Sequence, residues 1–396
     1  MRRLSYADRR VYGVVFAAGL LASIILGYWI YSSASMYARA LGDRYISDEI
    51  YYVDVARRIL INVFGVKNHT WYPWSGETAS DYYNPEHPPL GKYLIALSMI
   101  LCGDRPYCWR LPGIIEGAAI PVILYIGYAL SRRDLIGPLA GFVAALAAAS
   151  SLSIRYEASV AMLDIHQAFF TSIAIAALAS ESVSTSIVAA GLASSVKYSG
   201  AFIIPAIWAY TASRVSTRRK RAIIFLETIA VPPLIVVALS TPLILHFGWK
   251  WFWENSVVGA LKWHTTSRPA GPPVSSPGGW LVNANPFYFD YDTLIGGVTN
   301  SVLQVTALVL GGATIIYSFW RSSWPAAGSY TYYSIIGMYL LLSHLYIFHI
   351  PGLHGNTTLY SFYAVQLAPS AAATYGDLVA SHAGGDVEAS APTTRS

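Results

Sequence analysis

The chain has 396 residues, of which 55% are hydrophobic and only 12% charged, and its mean hydropathy is +0.44. A soluble domain carries about 25% charged residues, so this composition excludes a disordered chain, a nucleic-acid-binding protein and a cytosolic globular enzyme. The net charge of +5 says little about partners, because in such a chain the position of each charge matters more than the sum.

Apolar runs lie at about 11–32, 93–102, 112–130, 135–152, 159–180, 187–212, 222–247, 294–319, 329–350 and 359–375. Most are long enough to cross a bilayer as helices, which defines an all-α polytopic membrane protein. The first run is followed by a charged loop, not by a small-residue cleavage site, so it reads as a retained span without a signal peptide. Short cytoplasmic loops are enriched in Lys and Arg. Arg2, Arg3, Arg9 and Arg10 therefore put the N-terminus inside. The cluster Arg214, Arg218, Arg219, Lys220 and Arg221 puts a second segment inside, and Arg132 with Arg133 a third.

Two segments break this pattern if each is one span. The run 93–102 reaches only about 15 Å as a helix against a core near 30 Å. It is read as an interfacial helix on the outer face, with 112–130 crossing inward and 135–152 outward. The run 187–212 holds Lys197 in its middle, where a lysine is costly. Two short helices meeting at the outer face restore the parity and let Lys197 face water. About ten transmembrane helices result. The first outer loop covers 33–111 and the second 248–293, with 153–158, the turn at 197–200 and 351–358 also outside. Residues 1–375 form one domain, and the polar, small-residue-rich tail 376–396 is expected to be disordered and cytoplasmic. The sequence has no internal repeat.

Of the 21 acidic residues, Asp43, Asp48, Glu49, Asp54, Glu77, Asp81, Glu86 and Asp104 crowd into the first loop. Aromatic residues there suit an interfacial belt; the acids mark a surface where chemistry on lipid-linked substrates can occur. In Tyr45–Asp54, Ser47 can cap a helix starting at Asp48, and Asp54 can pair with Arg58 one turn on. Asp48 and Glu49 read in two ways. They favour a helix N-terminus electrostatically, or they form an acidic pair of which one member is a general base. Asn84–Lys92 gathers Glu86, His87 and Lys92 on a stiff turn opened by Pro88 and Pro89; its bland reading is a rigid helix start. Trp109-Arg110-Leu111-Pro112 suits an interfacial anchor. Arg155 and Glu157 fit a short loop, but Asp164, near His166, enters an apolar helix, and intramembrane acids are functional candidates. Arg110, Arg155 and Lys197 are three cations able to converge on a lipid phosphate.

Together these segments resemble the protein O-mannosyltransferase family, glycosyltransferase family 39 of the GT-C superfamily. The resemblance is carried by Asp48-Glu49, His87-Pro88-Pro89-Leu90-Gly91-Lys92, Arg110-Leu111-Pro112, Leu163-Asp164, Gly191-Leu192-Ala193 with Lys197, and Ser275-Ser276-Pro277 with Trp280. It spans about residues 11–292. It implies a GT-C-type transmembrane bundle with juxtamembrane helices in the first loop. It also implies a polyprenyl- or dolichyl-phosphate mannose donor and an inverting transfer to Ser or Thr hydroxyls. Asp48 would be the general base, and Glu49 would position acceptor or sugar. Glu86, His87, Lys92, Arg110, Arg155, Asp164 and Lys197 would serve the donor. His264, Ser275 and Ser276 would form an acceptor or donor loop. The implied setting is a prokaryotic plasma membrane with an extracytoplasmic active site, with a homo- or heterodimer as a further option.

The chain departs from the family in lacking a β-trefoil insert in the second loop. Glu86 precedes His87 where fungal and bacterial relatives usually have Asp-Val, which favours a glycan or glycolipid acceptor as the second reading. A transporter is the rival from another class, but transporters usually carry repeats and midplane breaks. Asp48, Glu49, Glu86 and His87 can bind a divalent ion if they converge. The adjacent Asp-Glu is not the spaced acidic motif of metal-dependent oligosaccharyltransferases, so metal independence is expected. Cys102 and Cys108 form either a disulfide on the outer face or two buried thiols. Asn68-His69-Thr70 and Asn356-Thr357-Thr358 match the glycosylation acceptor pattern.

Overall fold

The computed structural model describes residues 6–67, 69–73, 81–265, 273–320, 326–349, 355–356 and 358–382. Asn68, Glu77 and Thr357 lie outside them. In chain order the helices are α1 (Tyr6–Ala40), α2 (Glu49–Arg58), α3 (Leu90–Cys102), α4 (Pro106–Ser131), α5 (Ile136–Ser150), α6 (Leu152–Ala158), α7 (Leu163–Ala179), α8 (Val183–Val196), α9 (Ile204–Arg214) and α10 (Arg218–Phe247). They continue with α11 (Trp249–Trp251), α12 (Val258–Thr265), α13 (Pro277–Trp280), α14 (Ser301–Trp320), α15 (Ala327–Ser343) and α16 (Leu367–His382). One two-stranded antiparallel sheet, β1 (Tyr288–Asp290) with β2 (Ile295–Gly296), sits in the second loop.

Arg9–Ala40, Pro106–Ser131, Arg218–Phe247 and Ser301–Ser318 are each long and apolar enough to cross a membrane. The other expected spans use shorter pieces: α5 with α6, α7, α8, α9, α15 and α16. Leu21, Ile25, Leu226, Leu234 and Leu245 point outward from α1 and α10, as lipid-facing residues do. Within the bundle small residues let backbones touch. A Cβ on Gly127 of α4 would stand 2.5 Å from Ala176 of α7, so this crossing requires glycine.

Several boundaries differ from the sequence reading. The run 135–152 breaks at Ser151 and bends by 61° into α6, so 153–158 is helical and not a short loop. Helix α16 continues to His382, so 376–382 is ordered helix and not tail. Residues 294–300 belong to β2 and its exit, and α14 starts only at Ser301.

The first loop is a built structure. Helix α3 has 13 residues, about 20 Å, too short to span, and it packs beside α2. Arg57 donates to Asp104 from Nε (2.6 Å) and Nη2 (3.0 Å), while the indole of Trp109 donates to Asp104 at 2.6 Å. Asp54 accepts from Arg57 at 2.7 Å and from the Tyr45 hydroxyl at 2.8 Å. Arg58, expected to pair with Asp54, donates to the carbonyl of Tyr82. A disulfide joins Cys102 to Cys108 across the α3–α4 turn, which decides between the two cysteine readings. Arg44 bridges to Asp290 at 2.7 Å and ties the first loop to the second.

Candidate active site

Asp48 stands at the N-terminus of α2, which begins one residue later than expected. Ser47 does not cap it. Its φ is +51°, a left-handed conformation uncommon outside glycine, and its buried hydroxyl has no partner. Backbone strain of this kind gathers at functional sites. Asp48 is partly buried and accepts a bond from the Tyr52 hydroxyl at 3.3 Å, one turn along α2. Burial pushes its carboxyl up to about 6; Lys197 and the Tyr52 hydroxyl oppose the rise and Asp164 adds to it. Asp48, Lys197 and Asp164 therefore share one electrostatic neighbourhood, although they lie on three separate segments.

Lys197 reaches that neighbourhood because the chain breaks after α8. The residue is extended (φ −142°, ψ 139°), and a 3-10 turn, Tyr198–Ile203, leads into α9. A Cβ on Gly200 would stand 2.2 Å from the carbonyl carbon of Ala193, so only glycine lets this turn fold back onto α8. The two-helix reading of 187–212 matches this break, but Lys197 does not face water. It is 3% exposed and donates to Asp164 Oδ1 at 2.8 Å, and its Nζ lies 4.2 Å from the centre of the Tyr363 ring. Burial without a partner would be too costly for either charge. Asp164 Oδ2 is left without a partner.

Lys197 lines a cavity of about 300 Å³ whose other walls include Phe202, His264, Tyr339, Leu342 and Tyr363. A second apolar cavity, about 450 Å³, shares Tyr198 and Val257 with it and runs along α9 and α10. The two neighbouring cavities are lined mainly by apolar and aromatic side chains, with the Lys197 ammonium at the wall of the first. His87 lies near Lys197, its ring 6.1 Å from that of Tyr52. Burial and the charges of Lys197, Lys92 and His264 hold the imidazole well below the usual histidine range, so it is neutral at pH 7.

Other expected site residues have different tasks. Glu49 and Arg110 meet, but each is committed. Glu49 accepts from Arg110 at 2.8 and 2.9 Å and from the amides of Ala161 (2.8 Å) and Ile46 (2.9 Å). Arg110 also donates to the carbonyls of Ala38, Gly42 and Arg44. Arg155 lies over the Trp29 ring, 4.4 Å from its centre. The three cations therefore do not share one anion: each has its own partner. Lys92 is fully buried and donates at 2.7 Å to the carbonyls of Asn84 and His87, holding the turn that presents His87. Glu86 accepts from Tyr82 (2.6 Å) and Asn84 (2.9 Å).

Ser275 and Ser276 shape the second loop from within. Ser275 donates to the carbonyl of Ala284 at 2.6 Å, and Ser276 caps α13 by accepting from Gly279 at 3.1 Å. His264 contacts the Asn356 amide at 3.1 Å. Asn356, which opens one of the two acceptor patterns, is itself buried, and its Oδ1 accepts from Thr358. Among the described residues no group of three or more His, Cys, Asp or Glu side chains is arranged to hold a metal ion.

Three neighbours were not among the expected site residues. Tyr52 is discoverable, because it lies four residues after Asp48 on one helix face. Glu157 is fully buried, lies within electrostatic reach of Asp164, Lys197 and Asp48, and neither carboxyl oxygen has a hydrogen-bond partner. Tyr363 comes from the far end of the chain and carries no local signal.

This arrangement of helices is a GT-C-type membrane fold. It superposes on ArnT from Cupriavidus metallidurans with a TM-score of 0.56 in the apo state and 0.55 bound to undecaprenyl phosphate. The sequence identities are 15% and 16%, and this chain covers 59% of ArnT.

Part of the sequence is also similar to a known family. The model of the dolichyl-phosphate-mannose-protein mannosyltransferases matches residues 86–244, a span that holds His87, Arg110, Asp164 and Lys197 but not Asp48. Polyprenol-phosphate-mannose–protein mannosyltransferase of Mycolicibacterium smegmatis is 34% identical over 93 residues, which are 23% of this chain and 17% of that protein. The enzyme of that name from Mycobacterium tuberculosis is 31% identical over 134 residues, 34% of this chain and 23% of that protein. The chain is thus similar to this family over a segment that makes up less than a quarter of these relatives' length.

Proposed function

We propose that this protein is a membrane glycosyltransferase that moves mannose, or a related sugar, from a polyprenyl-phosphate carrier to Ser or Thr hydroxyls of proteins on the extracytoplasmic side. The observation that carries the reading is that Asp48 lies within electrostatic reach of Lys197, which lines the apolar cavity. One group is a base and the other an anion-stabilising cation, and the cavity suits an isoprenoid. The mannosyltransferase names of the relatives and the polyprenyl phosphate bound to ArnT agree with it.

In this mechanism Asp48 takes the proton of the acceptor hydroxyl. The acceptor oxygen attacks the anomeric carbon as the bond from that carbon to the phosphate oxygen breaks. Polyprenyl phosphate leaves with the bonding pair, and the anomeric centre inverts. Lys197 turns from Asp164 towards the phosphate and stabilises its charge. Neutral His87 holds a sugar hydroxyl. Glu49 and Arg110 are positioning residues: their buried clamp fixes the start of α2 and hence the aim of Asp48. No step needs a metal ion.

The test is to incubate purified protein with radiolabelled polyprenyl-phosphate mannose and a Ser/Thr-rich peptide, with D48N as control. Label in the peptide for wild type and none for folded D48N is the expected result. Label confined to lipid or glycan fractions favours the second acceptor class, to which Glu86 points. Full transfer by D48N removes Asp48 from the mechanism.

A further inference from the structure

Helix α10 is 30 residues long, about 45 Å. Its C-terminal Phe247 packs against Tyr83 of the first loop, ring centres 4.7 Å apart. Its N-terminus therefore lies at the opposite membrane face from Asp48. That end is built for an anion. The first turn carries Arg218, Arg219, Lys220 and Arg221, all exposed, with no acidic residue and no capping side chain. Uncapped first-turn amides and the helix dipole favour a negative ligand.

Beside this turn is a cavity of about 450 Å³ between α9 and α10, lined by Trp208, Thr211, Arg221, Ile224, Phe225 and Leu226. Thr211 is 4% exposed, and its hydroxyl has no hydrogen-bond partner. Arg221 donates from Nε to the carbonyl of Val215, which leaves its terminal nitrogens for a ligand. Glu181 near this end bridges to Arg214 at 3.7 Å, and the nearest acid on α10 itself is Glu227, six residues beyond Arg221. A basic cluster also orients a membrane protein, but orientation requires neither an orphan hydroxyl nor an apolar slot.

We propose that this site binds an anionic phospholipid of the leaflet at that face. The phosphodiester meets Arg221, the Thr211 hydroxyl and the α10 amides, and an acyl chain lies against Trp208, Phe225 and Leu226. Free phosphate shares the headgroup chemistry but has no use for the apolar wall. The site is separate from the candidate active site, so its test does not require sugar transfer.

The experiment is native mass spectrometry of the full chain released from nanodiscs of phosphatidylcholine with 20% phosphatidylglycerol, a composition chosen to include about one anionic headgroup in five. Wild type is expected to retain phosphatidylglycerol in preference to phosphatidylcholine, and R221Q to lower that retention about fivefold. L226W, which fills the slot without changing charge, is expected to lower it as well while leaving the unfolding midpoint in pure phosphatidylcholine unchanged. Equal retention of both lipids by wild type overturns the proposal. So does unchanged retention in both variants, or full displacement of the lipid by millimolar inorganic phosphate.

Discussion

Arg110 and Glu49 are joined by two hydrogen bonds, 2.8 and 2.9 Å, at a point where neither side chain touches solvent. They are 61 residues apart, and their clamp ties α4 to the first turn of α2. Removing one partner of a buried pair strands the other charge and costs about 3–5 kcal/mol. E49A and R110A should each lower the thermal unfolding midpoint in detergent, and the double replacement should cost less than the sum of the two.

Asp48 should govern the pH profile. A base must be deprotonated, and this carboxyl titrates at about 6. Transfer should rise through pH 6 and level off above it. The Tyr52 hydroxyl holds the value down, so Y52F should move the rising limb to higher pH. A solvent-matched rate profile from pH 5 to 8 measures both.

The same shift has a stability consequence. Folding raises the pKa of this Asp above its ordinary value, so the folded chain holds the proton more tightly than the unfolded one. The stabilisation is complete below the unfolded pKa and is lost as pH rises through about 6. D48N should therefore be at least as stable as wild type at pH 7.5 while losing transfer. Unfolding midpoints at pH 5 and 7.5 test the sign.

Lys197 has one anionic partner, Asp164, at 2.8 Å. K197M should reduce kcat/KM for the lipid donor by about 10²-fold, the scale of losing one transition-state electrostatic contact. Removing Asp164 as well, in D164N/K197M, should recover stability but not transfer. Donor titrations paired with melting curves separate the two effects.

The Cys102–Cys108 disulfide closes the turn that carries Asp104 and Trp109 into the loop network. C102S/C108S should lose about 2 kcal/mol of stability and more at the first loop than in the bundle. Intact mass after alkylation should show two adducts only following reduction. Chelation of divalent ions should leave the rate of sugar transfer unchanged.

Much of this was legible in the linear chain. Charge depletion and long apolar runs determined a membrane bundle, because every backbone polar group in lipid must be satisfied inside a helix. The shortness of 93–102 and the lysine inside 187–212 marked a helix too short to span and a break in an apolar run, since both follow from length and charge cost alone. Only the tertiary structure decided what each charge does. Lys92, Arg110 and Lys197 are all buried cations, yet one braces a turn, one clamps a helix and one lines a cavity. Their partners are carbonyls for the first, Glu49 and carbonyls for the second, and Asp164 for the third. A sequence records that a buried charge must be compensated. Which group compensates it depends on segments brought together by packing.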